Sequence, residues 1–253
     1  APGYKADLLV VDDLADFRAR QVIKDGRLVA ENGEMREEVR GQHPDIQGAW
    51  GPMNPPRLSV DDLRIPSREG AIRAIGVELD TITTGEIIET PHRLNGHLAA
   101  DPARDLQKIA VLDRYRGEHF TVGFVKGLGL QRGAIGTSVG HDAHNVAICG
   151  VDDADMICAL ETVRRMRGGL AVCLGGEVLA SLPLPICGLI SDRPLEEVNR
   201  QHKSLLRSLR ALGPAADVFM SLSFLQLPVI PHLKITDRGL VDVARQSFVS
   251  LFV

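Results

Sequence analysis

The stretch "VDDADMICALETVRRMRGGLAVCLGGEVLASLPLP", residues 151–185, combines a helix pattern with a hairpin pattern and decides the fold class. Acids crowd its start, Met156, Leu160 and Val163 recur at helical spacing, and arginines precede a Gly-Gly stop, so we predict a helix. The segment "LAVCLGGEVLASLPLP" then predicts two strands that turn at a second glycine pair. The stretch therefore indicates a helix beside antiparallel strands.

Strand patterns precede this stretch, and a second helix follows it. Five segments predict consecutive strands: "AIRAIGVEL", "GEIIET", "QKIAVLDRY", "FTVGFVKGLGL" and "GAIGTSVGHDAHNVAICG". The second helix begins near Pro194 and ends at "GP", and its apolar stripe consists of Leu195, Val198, His202, Leu205 and Leu209. This order of elements predicts an α+β fold, in which helices pack on a largely antiparallel sheet.

The last part of the chain supplies two smaller predictions. Because His202 lies on the apolar stripe of the second helix, we expect a core histidine with its hydrogen bonds satisfied. In the tail, an apolar segment precedes "KITDRGLVDV", where we expect Asp237 and Arg238 to form a turn before a final strand.

The chain is predicted to contain two folded parts and a linker. Residues 1–35 read as short strands with a hairpin through Asp25 and Gly26, and so few strands must complete a sheet supplied by something else. Residues 36–69 lose all periodicity and are rich in Gly, Pro, Asn and Asp, which is typical of a linker. Residues 70–253 then form the α+β domain.

The composition excludes several classes of protein. With 44% hydrophobic residues, 25% charged residues and a net charge of -4, the chain shows no electrostatic reason to bind nucleic acid or an anionic membrane. Its apolar runs are too short to span a bilayer, and no basic segment followed by an apolar core opens it, so we expect no secretory signal. Four single cysteines predict buried, reduced thiols: Cys149, Cys158, Cys173 and Cys187.

The loop "GTSVGHDAHNVAIC" holds the residues most suited to chemistry. They are Ser138, His141, Asp142, His144 and Asn145. Imidazole and carboxylate groups are good metal ligands, but a zinc site needs three or four of them in fixed geometry, and no HExxH or HxH motif completes the set. Three interpretations stay open: a metal site, a hydrogen-bonded loop that helps to line a site, and purely structural packing.

Two further motifs, a possible hydrolase triad and a possible phosphate-binding loop, are only weakly supported. Ser138 near His141 and Asp142 suggests a hydrolase triad, but the serine lacks a G-x-S-x-G turn, and adjacent side chains on a strand face opposite ways. The glycine-rich "GFVKGLGLQRGAIG" does not match a phosphate-binding loop, so we expect its glycines to permit turns and close strand packing. From the residues alone, no complete catalytic constellation is present.

The sequence resembles a known family in four places. The opening "APGYKADLLVVDDLADFRARQVIKDGRLVAENG" is similar to the segment that closes the small β-domain of amidohydrolase superfamily enzymes. Three later blocks resemble the C-terminal domain of bacterial adenine deaminases: "GFVKGLGLQRGAIGTSVGHDAHNVAICGVDDADM", "GGLAVCLGGEVLASLPLPICGLISD" and "LPVIPHLKITDRGLVDV". The resemblance covers nearly the whole chain.

The resemblance implies a cytoplasmic enzyme of purine salvage and adenine catabolism that hydrolyses adenine to hypoxanthine and ammonia. In the family, a divalent metal pair, manganese or iron, activates water for attack at the purine C6, and its ligands lie in a (β/α)8 barrel. None of the metal-ligand motifs matches a position here, so the resemblance implies that the barrel and the metal pair lie outside this chain. It also implies a homo-oligomer.

Three hypotheses about the function of the chain follow. The first is that it forms the closing β-strands and the C-terminal domain of an adenine deaminase and is inactive alone, with no catalytic or metal-binding residue of its own. The second is a non-catalytic module for oligomerisation or for covering the active site. The third is a free-standing metal-dependent hydrolase that uses His141, Asp142 and His144.

Overall fold

The structure, a computed structural model, describes residues 1–36 and 50–253, which belong to two compact units. The smaller unit is a four-stranded antiparallel sheet in which the strands follow each other in sequence order. These strands are β1 (Leu8–Val11), β2 (Ala19–Lys24), β3 (Arg27–Glu31) and β4 (Glu34–Met35). Asp25 and Gly26, both at positive φ, make the β2–β3 turn, which confirms the predicted hairpin.

The larger unit contains fourteen strands among its described residues. In chain order they are β5 (Ile65–Pro66), β6 (Ile72–Val77), β7 (Thr84–Glu89), β8 (His92–Leu94), β9 (His97–Ala99), β10 (Leu106–Leu112), β11 (Phe120–Lys126), β12 (Ala134–Thr137), β13 (Val146–Gly150), β14 (Gly169–Leu174), β15 (Glu177–Pro183), β16 (Leu233–Thr236), β17 (Gly239–Asp242) and β18 (Ser247–Val249). Short 3-10 helices span Val60–Leu63 and Pro102–Arg104.

Eight of these strands form the central sheet of the larger unit, in the order β15-β14-β12-β13-β10-β11-β6-β7. Every neighbouring pair is antiparallel except β11 and β6, which run parallel. Two three-stranded sheets, β16-β17-β18 and β5-β9-β8, complete the strands. The predicted α+β fold with a largely antiparallel sheet is confirmed.

Three helices accompany the sheet: α1 (Asp153–Arg165), α2 (Leu195–Ala211) and α3 (Phe219–Phe224). The start of α1 is capped by Asp152, whose carboxylate accepts the backbone N–H groups of Ala154 and Asp155. Its apolar stripe of Met156, Leu160 and Val163 is fully buried, as the sequence predicts. Among the described residues, no helix is long and apolar enough to cross a lipid bilayer.

The central sheet buries apolar side chains on both faces. On β10, Ile109 and Val111 belong to the core that contains α2 and α3, whereas Ala110 and Leu112 belong to the core that contains α1. Strands covered on both faces read as continuous apolar runs, which explains the unbroken "IAVL" of this strand. Loops between the central strands are therefore attached to a core that is packed on both sides.

Two predictions for α2 are wrong at its N-terminal half. Leu195 is 77% exposed, and His202 is half-exposed, with its Nε2 3.8 Å from the Asp217 carboxylate, so it is not a core histidine. Because α2 packs on the edge strand β15 and on β14, the sheet covers only part of the apolar stripe. Leu205 and Leu209, farther along the stripe, are fully buried.

The cysteines behave in two ways, and no disulfide joins them. Cys149 and Cys173 are buried as predicted, and burial raises the pKa of both thiols. Cys158 is half-buried and Cys187 is exposed, so the prediction of four buried thiols is wrong for these two.

The predicted linker, residues 36–69, lies partly outside the described residues, and its described portion from residue 50 onward belongs to the larger unit. Leu63 is fully buried against the α1 core, and Ile65 pairs with Leu98 of β9. Residues without helical or strand periodicity can still pack through single apolar anchors. The domain boundaries themselves stay predictions.

Candidate functional site

The five predicted site residues lie in one loop, residues 138–145, between the adjacent central strands β12 and β13. The loop is attached to the core through its side chains as well as its backbone. The five residues are close in sequence and in space, but their side chains make different contacts.

Ser138 is a buried structural residue. Its hydroxyl donates to the Gly188 carbonyl oxygen at 2.6 Å and accepts the Gly169 N–H at 2.8 Å. A Cβ on Gly168 would lie 2.3 Å from the Gly188 Cα, so the chains around the serine are too close for a larger residue or a water. Both hydrogen-bonding capacities of the hydroxyl are used, which argues against a nucleophilic role.

His141 is held by helix α3. Its backbone N–H donates to the Ser223 carbonyl oxygen at 3.0 Å, and its ring Nδ1 lies 3.1 Å from the Ser223 hydroxyl. The imidazole stacks on the Phe224 ring, with centroids 4.6 Å apart and planes inclined by 23°. The ring is thereby fixed through one nitrogen and one face, and Nε2 has no hydrogen-bond partner within the described part of the chain.

His144 is fixed by its own loop. The Gly140 N–H donates to His144 Nδ1 at 3.3 Å, and the His144 N–H donates back to the Gly140 carbonyl oxygen at 2.5 Å. Burial lowers the pKa of His144, and the positive charge of Arg114 and the neighbouring His141 act in the same direction. The lowered pKa favours the neutral imidazole, whose centroid lies 5.8 Å from that of the His141 ring.

Asn145 and Asp142 lie at opposite extremes of exposure. Asn145 is buried, its Nδ2 donating to the Asp237 carboxylate at 3.0 Å and its Oδ1 accepting the Arg114 N–H at 3.4 Å. Asp237 and Arg238 make the β16–β17 turn, as predicted, and this turn is thereby tied to the loop. The Asp142 side chain is exposed.

Arg114 is a site residue that sequence reasoning missed. It is buried, and it donates from Nη1 to the Cys187 carbonyl oxygen at 2.6 Å and from Nη2 to the Tyr115 hydroxyl at 3.1 Å. Its Nε has no hydrogen-bond partner in the part of the chain that the structure describes. The Tyr115 hydroxyl in turn donates to the Ala143 carbonyl oxygen at 2.7 Å. Among the described residues no carboxylate lies within ion-pairing distance of the guanidinium, so a buried positive charge stands beside the loop.

The turn after Arg114 is organised by Asp113. Burial acts to raise the pKa of its carboxyl, but backbone N–H groups of Tyr115, Arg116 and Glu118 donate to the carboxylate, and together with Gly117 they lower the pKa overall. The sequence "DRYRGE" gives this role no distinctive signal beyond an aspartate before a turn.

Gln226 packs directly beneath the loop. Its side-chain amide is buried, and neither Nε2 nor Oε1 has a hydrogen-bond partner among the described residues. A Cβ on Gly140 would lie 2.2 Å from Nε2, so only glycine fits between the loop and this amide. The contact could not be found from sequence because the two residues lie far apart in the chain.

The loop does not have the geometry of a metal site. Nδ1 of both histidines is engaged, with the Ser223 hydroxyl and with the Gly140 N–H, so each ring could offer a metal ion only its Nε2. Within residues 1–36 and 50–253, no three His, Cys, Asp or Glu side chains are grouped so that they could hold a metal ion. The described residues therefore do not fit the metal pair that the sequence resemblance implies.

The glycine-rich run before the loop serves the packing of strands. Gly127 has a φ of 106°, and a Cβ there would lie 2.3 Å from the Val77 carbonyl oxygen. Gly133 has a φ of 68°, and a Cβ there would lie 2.4 Å from the Cys173 carbonyl oxygen. These glycines permit turns and close approach, as the sequence predicts.

A separate cleft of about 420 Å³ lies at the start of α1, with Arg64, His97, Lys108 and Asp153 among its lining residues. The Lys108 ammonium donates to both Asp153 carboxylate oxygens, at 2.7 and 2.8 Å, so the charge of the lysine is neutralised. None of the five predicted residues lines this cleft.

Comparison with known proteins gives one consistent result. A family model described as the adenine deaminase C-terminal domain matches residues 81–247. A protein named adenine deaminase from Desulfatibacillum aliphaticivorans is 46% identical over 264 residues, an alignment that covers 100% of this chain and 44% of that protein. Another, from Kosmotoga olearia, is 43% identical over 255 residues with the same coverage.

A third relative, named adenine deaminase 2, from Carboxydothermus hydrogenoformans, is 44% identical over 254 residues, covering 98% of this chain and 44% of that protein. The chain thus spans less than half the length of the curated relatives that it matches.

Proposed function

The chain belongs to the adenine deaminase C-terminal domain family, which confirms the resemblance seen in its sequence, and from this premise we propose that it is the C-terminal part of an adenine deaminase. The reaction replaces the exocyclic amino group at C6 of adenine with oxygen from water and releases hypoxanthine and ammonia. The observation that carries the proposal is the identity of 39 to 46% to named adenine deaminases along almost the whole chain.

In this proposal the chain does not perform the chemistry itself. The metal pair, manganese or iron, would be held by a barrel domain outside the described residues, where it would supply an activated water. This division is supported by the described residues, 1–36 and 50–253, in which no three His, Cys, Asp or Glu side chains converge as a metal ion would need.

The proposed role of the smaller unit is to complete a sheet that another part of the enzyme provides. Leu8 and Leu9, adjacent on β1 and hence on opposite faces, are 56% and 53% exposed. Apolar side chains exposed on both faces of a short sheet favour further strands or domains packed against it. The amidohydrolase-type β-domain is the partner that we propose.

The proposed role of the loop at residues 138–145 is to line the mouth of the active site. Its anchors lie inside the core, at Ser138 and Asn145, while Asp142 is exposed and His141 Nε2 has no partner in the described chain. A loop held rigidly at its base with polar groups at its tip is typical of binding sites.

Ammonia release tests the proposed function. The complete protein with manganese or iron should deaminate adenine, and a protein limited to residues 1–253 of this chain should not. Turnover by that shorter protein with added metal would contradict the division of labour and favour a free-standing metal-dependent hydrolase. A complete protein without activity on adenine would contradict the substrate assignment.

A role in assembly is a second candidate, favoured by the edge of the central sheet. Within residues 1–36 and 50–253, strand β15 pairs on one side only, and its Val178 and Leu179 are 38% and 42% exposed. An open edge with apolar side chains favours pairing with another chain. Light scattering on the complete protein should show a homo-oligomer that Val178→Lys weakens.

The proposal also assigns the enzyme to purine salvage and places it in the cytoplasm. Cell fractionation can check the compartment.

A further inference from the structure

The hydrogen bonds around the two loop histidines determine which ring nitrogen of each carries the proton. For His144 the argument is direct, because Nδ1 accepts the Gly140 N–H and must therefore have its lone pair free. A neutral imidazole with an unprotonated Nδ1 carries its proton on Nε2. His144 is thus an Nε2–H donor.

The same tautomer follows for His141 from the acceptors near Ser223. The Ser223 hydroxyl has two acceptors within reach, His141 Nδ1 at 3.1 Å and the Met220 Sδ at 4.0 Å. A thioether sulfur is a weak acceptor and an imidazole nitrogen a good one, so the hydroxyl donates to Nδ1. His141 in its neutral form then also carries its proton on Nε2.

The loop therefore holds two imidazole N–H donors in neighbouring rings whose planes are inclined by 53°. The two ring centroids lie 5.8 Å apart, and neither Nε2 has a hydrogen-bond partner within the described residues. Contacts on each side chain fix the two rings: Phe224 stacks on His141, and the Gly140 backbone N–H donates to His144. Donors fixed in this way lose little conformational entropy when they bind an acceptor.

We propose that His141 and His144 form a two-donor recognition site for the ring nitrogens of the purine, with Ser223 as the residue that positions His141. The inference rests on the proposed function, since it names the residues by which this domain would contact adenine. Adenine is rich in ring acceptors, N1, N3 and N7, and a bicyclic base is wide enough to meet two neighbouring donors. The histidines bind the base and take no part in its hydrolysis.

The test pairs each histidine with a ring nitrogen in the complete protein. Inhibition constants are measured for 1-, 3- and 7-deazaadenine, in each of which one ring nitrogen is replaced by C–H. Removal of a nitrogen that accepts from His141 should weaken binding about 3- to 10-fold, which is what one lost hydrogen bond is worth. In His141→Phe, which keeps an aromatic ring on Phe224, that penalty should vanish. His144→Phe should abolish the penalty of a different analogue.

Two controls separate recognition from folding. His119→Phe changes a half-exposed histidine outside the loop and should leave all three penalties unchanged. Because a histidine variant can disturb the loop, the tautomers are also measured directly, by magic-angle-spinning NMR of the complete protein labelled with ¹⁵N-histidine. Both residues should show a protonated Nε2, and Ser223→Ala should move part of the His141 population to the Nδ1–H form.

The outcomes distinguish the two levels of the proposal. A complete protein that neither binds nor deaminates adenine removes the proposed function and this inference together. Full activity with deaza penalties that persist in both histidine variants removes only the recognition site. A protonated Nδ1 on either histidine in the wild-type spectrum likewise overturns the inference and leaves the proposed function standing.

Discussion

Lys234, at the centre of β16, should make the protein more stable as the pH rises above 8. Its side chain is fully buried, its ammonium donates to the Ile82 carbonyl oxygen at 3.0 Å, and among the described residues no carboxylate pairs with it. Burial lowers the pKa of Lys234 from 10.5 to about 8. At about 1.4 kcal/mol per pH unit, that difference corresponds to a cost of about 3 kcal/mol in the free energy of unfolding.

The sign of the pH dependence follows from proton counting. Below pH 8 the lysine is charged in the folded and the unfolded chain, and the full cost of burying the charge is present. Between the folded pKa of about 8 and the unfolded value of 10.5, the unfolded chain binds more protons, so stability rises with pH. Lys234→Met removes this slope and should raise stability at pH 7, because the buried charge is gone. The expected gain is about 1 to 3 kcal/mol, since the loss of the donor to the Ile82 carbonyl offsets part of it.

Urea unfolding between pH 7 and 10 measures the effect, with the single tryptophan as probe. Trp50 lies in the larger unit, where the Arg167 guanidinium stacks on its ring at 4.6 Å. The difference between wild type and Lys234→Met is the quantity to plot. Cys149 and Cys173, whose pKa values burial raises, lower stability at high pH in both proteins and cancel in that difference.

Lys108→Met is the matched control. Lys108 is 3% exposed, but its ammonium is bonded to Asp153, so its removal should destabilise the protein by about 1 to 3 kcal/mol. A Lys234→Met variant that is less stable than wild type at pH 7, or a difference that stays constant from pH 7 to 10, would refute the reasoning. Either result would mean that the fold stabilises the charged lysine.

Three further predictions concern the loop and its surroundings. Ser138→Ala should cost about 2 to 4 kcal/mol, because a buried N–H and a buried carbonyl lose their partner, while the exposed Ser247→Ala should change stability by less than about 0.5 kcal/mol in urea unfolding. Unchanged stability with abolished activity would instead indicate a nucleophile. Gly140→Ala should reduce the free energy of unfolding by about 1 to 3 kcal/mol and thus lower the melting temperature, since the added Cβ meets the buried Gln226 amide. An unchanged melting curve would contradict that contact. Because the pKa of Asp113 is lowered in the folded state, it contributes stability at neutral pH that is lost as the pH falls below the unfolded value of 3.8; Asp113→Asn should flatten this acid limb, and an identical limb would contradict the role of the carboxylate.

Local patterns in the sequence predicted those parts of the fold that depend on neighbouring residues. Helix α1 was predicted from its acidic first turn, its apolar stripe and the glycines that end it. The two hairpins were predicted from the turn residues Asp25-Gly26 and Gly175-Gly176. These signals lie within a few residues of the structure that they specify.

Helix α3 shows where such patterns fail. It lies within "DVFMSLSFLQLPVIP", and a short apolar run buried on most sides has neither the helical nor the strand period. The parallel pairing of β6 with β11 is equally invisible, because it joins strands that four other strands separate in the chain. The pairing of strands depends on how the two faces of the whole sheet are buried, and this cannot be read from single residues.

The candidate site divides along the same line. The loop was found because histidine, aspartate and asparagine cluster in sequence, yet what each side chain does depends on residues some 80 to 90 positions away: Ser223 beside His141 and Asp237 beside Asn145. These distant partners take up Nδ1 of His141 and the amide of Asn145, so they remove atoms that a metal would need. The Ser223 hydroxyl at His141 and the Gly140 N–H at His144 together leave two protonated Nε2 atoms, so a cluster that looks like a metal site becomes a pair of donors for an acceptor-rich ring.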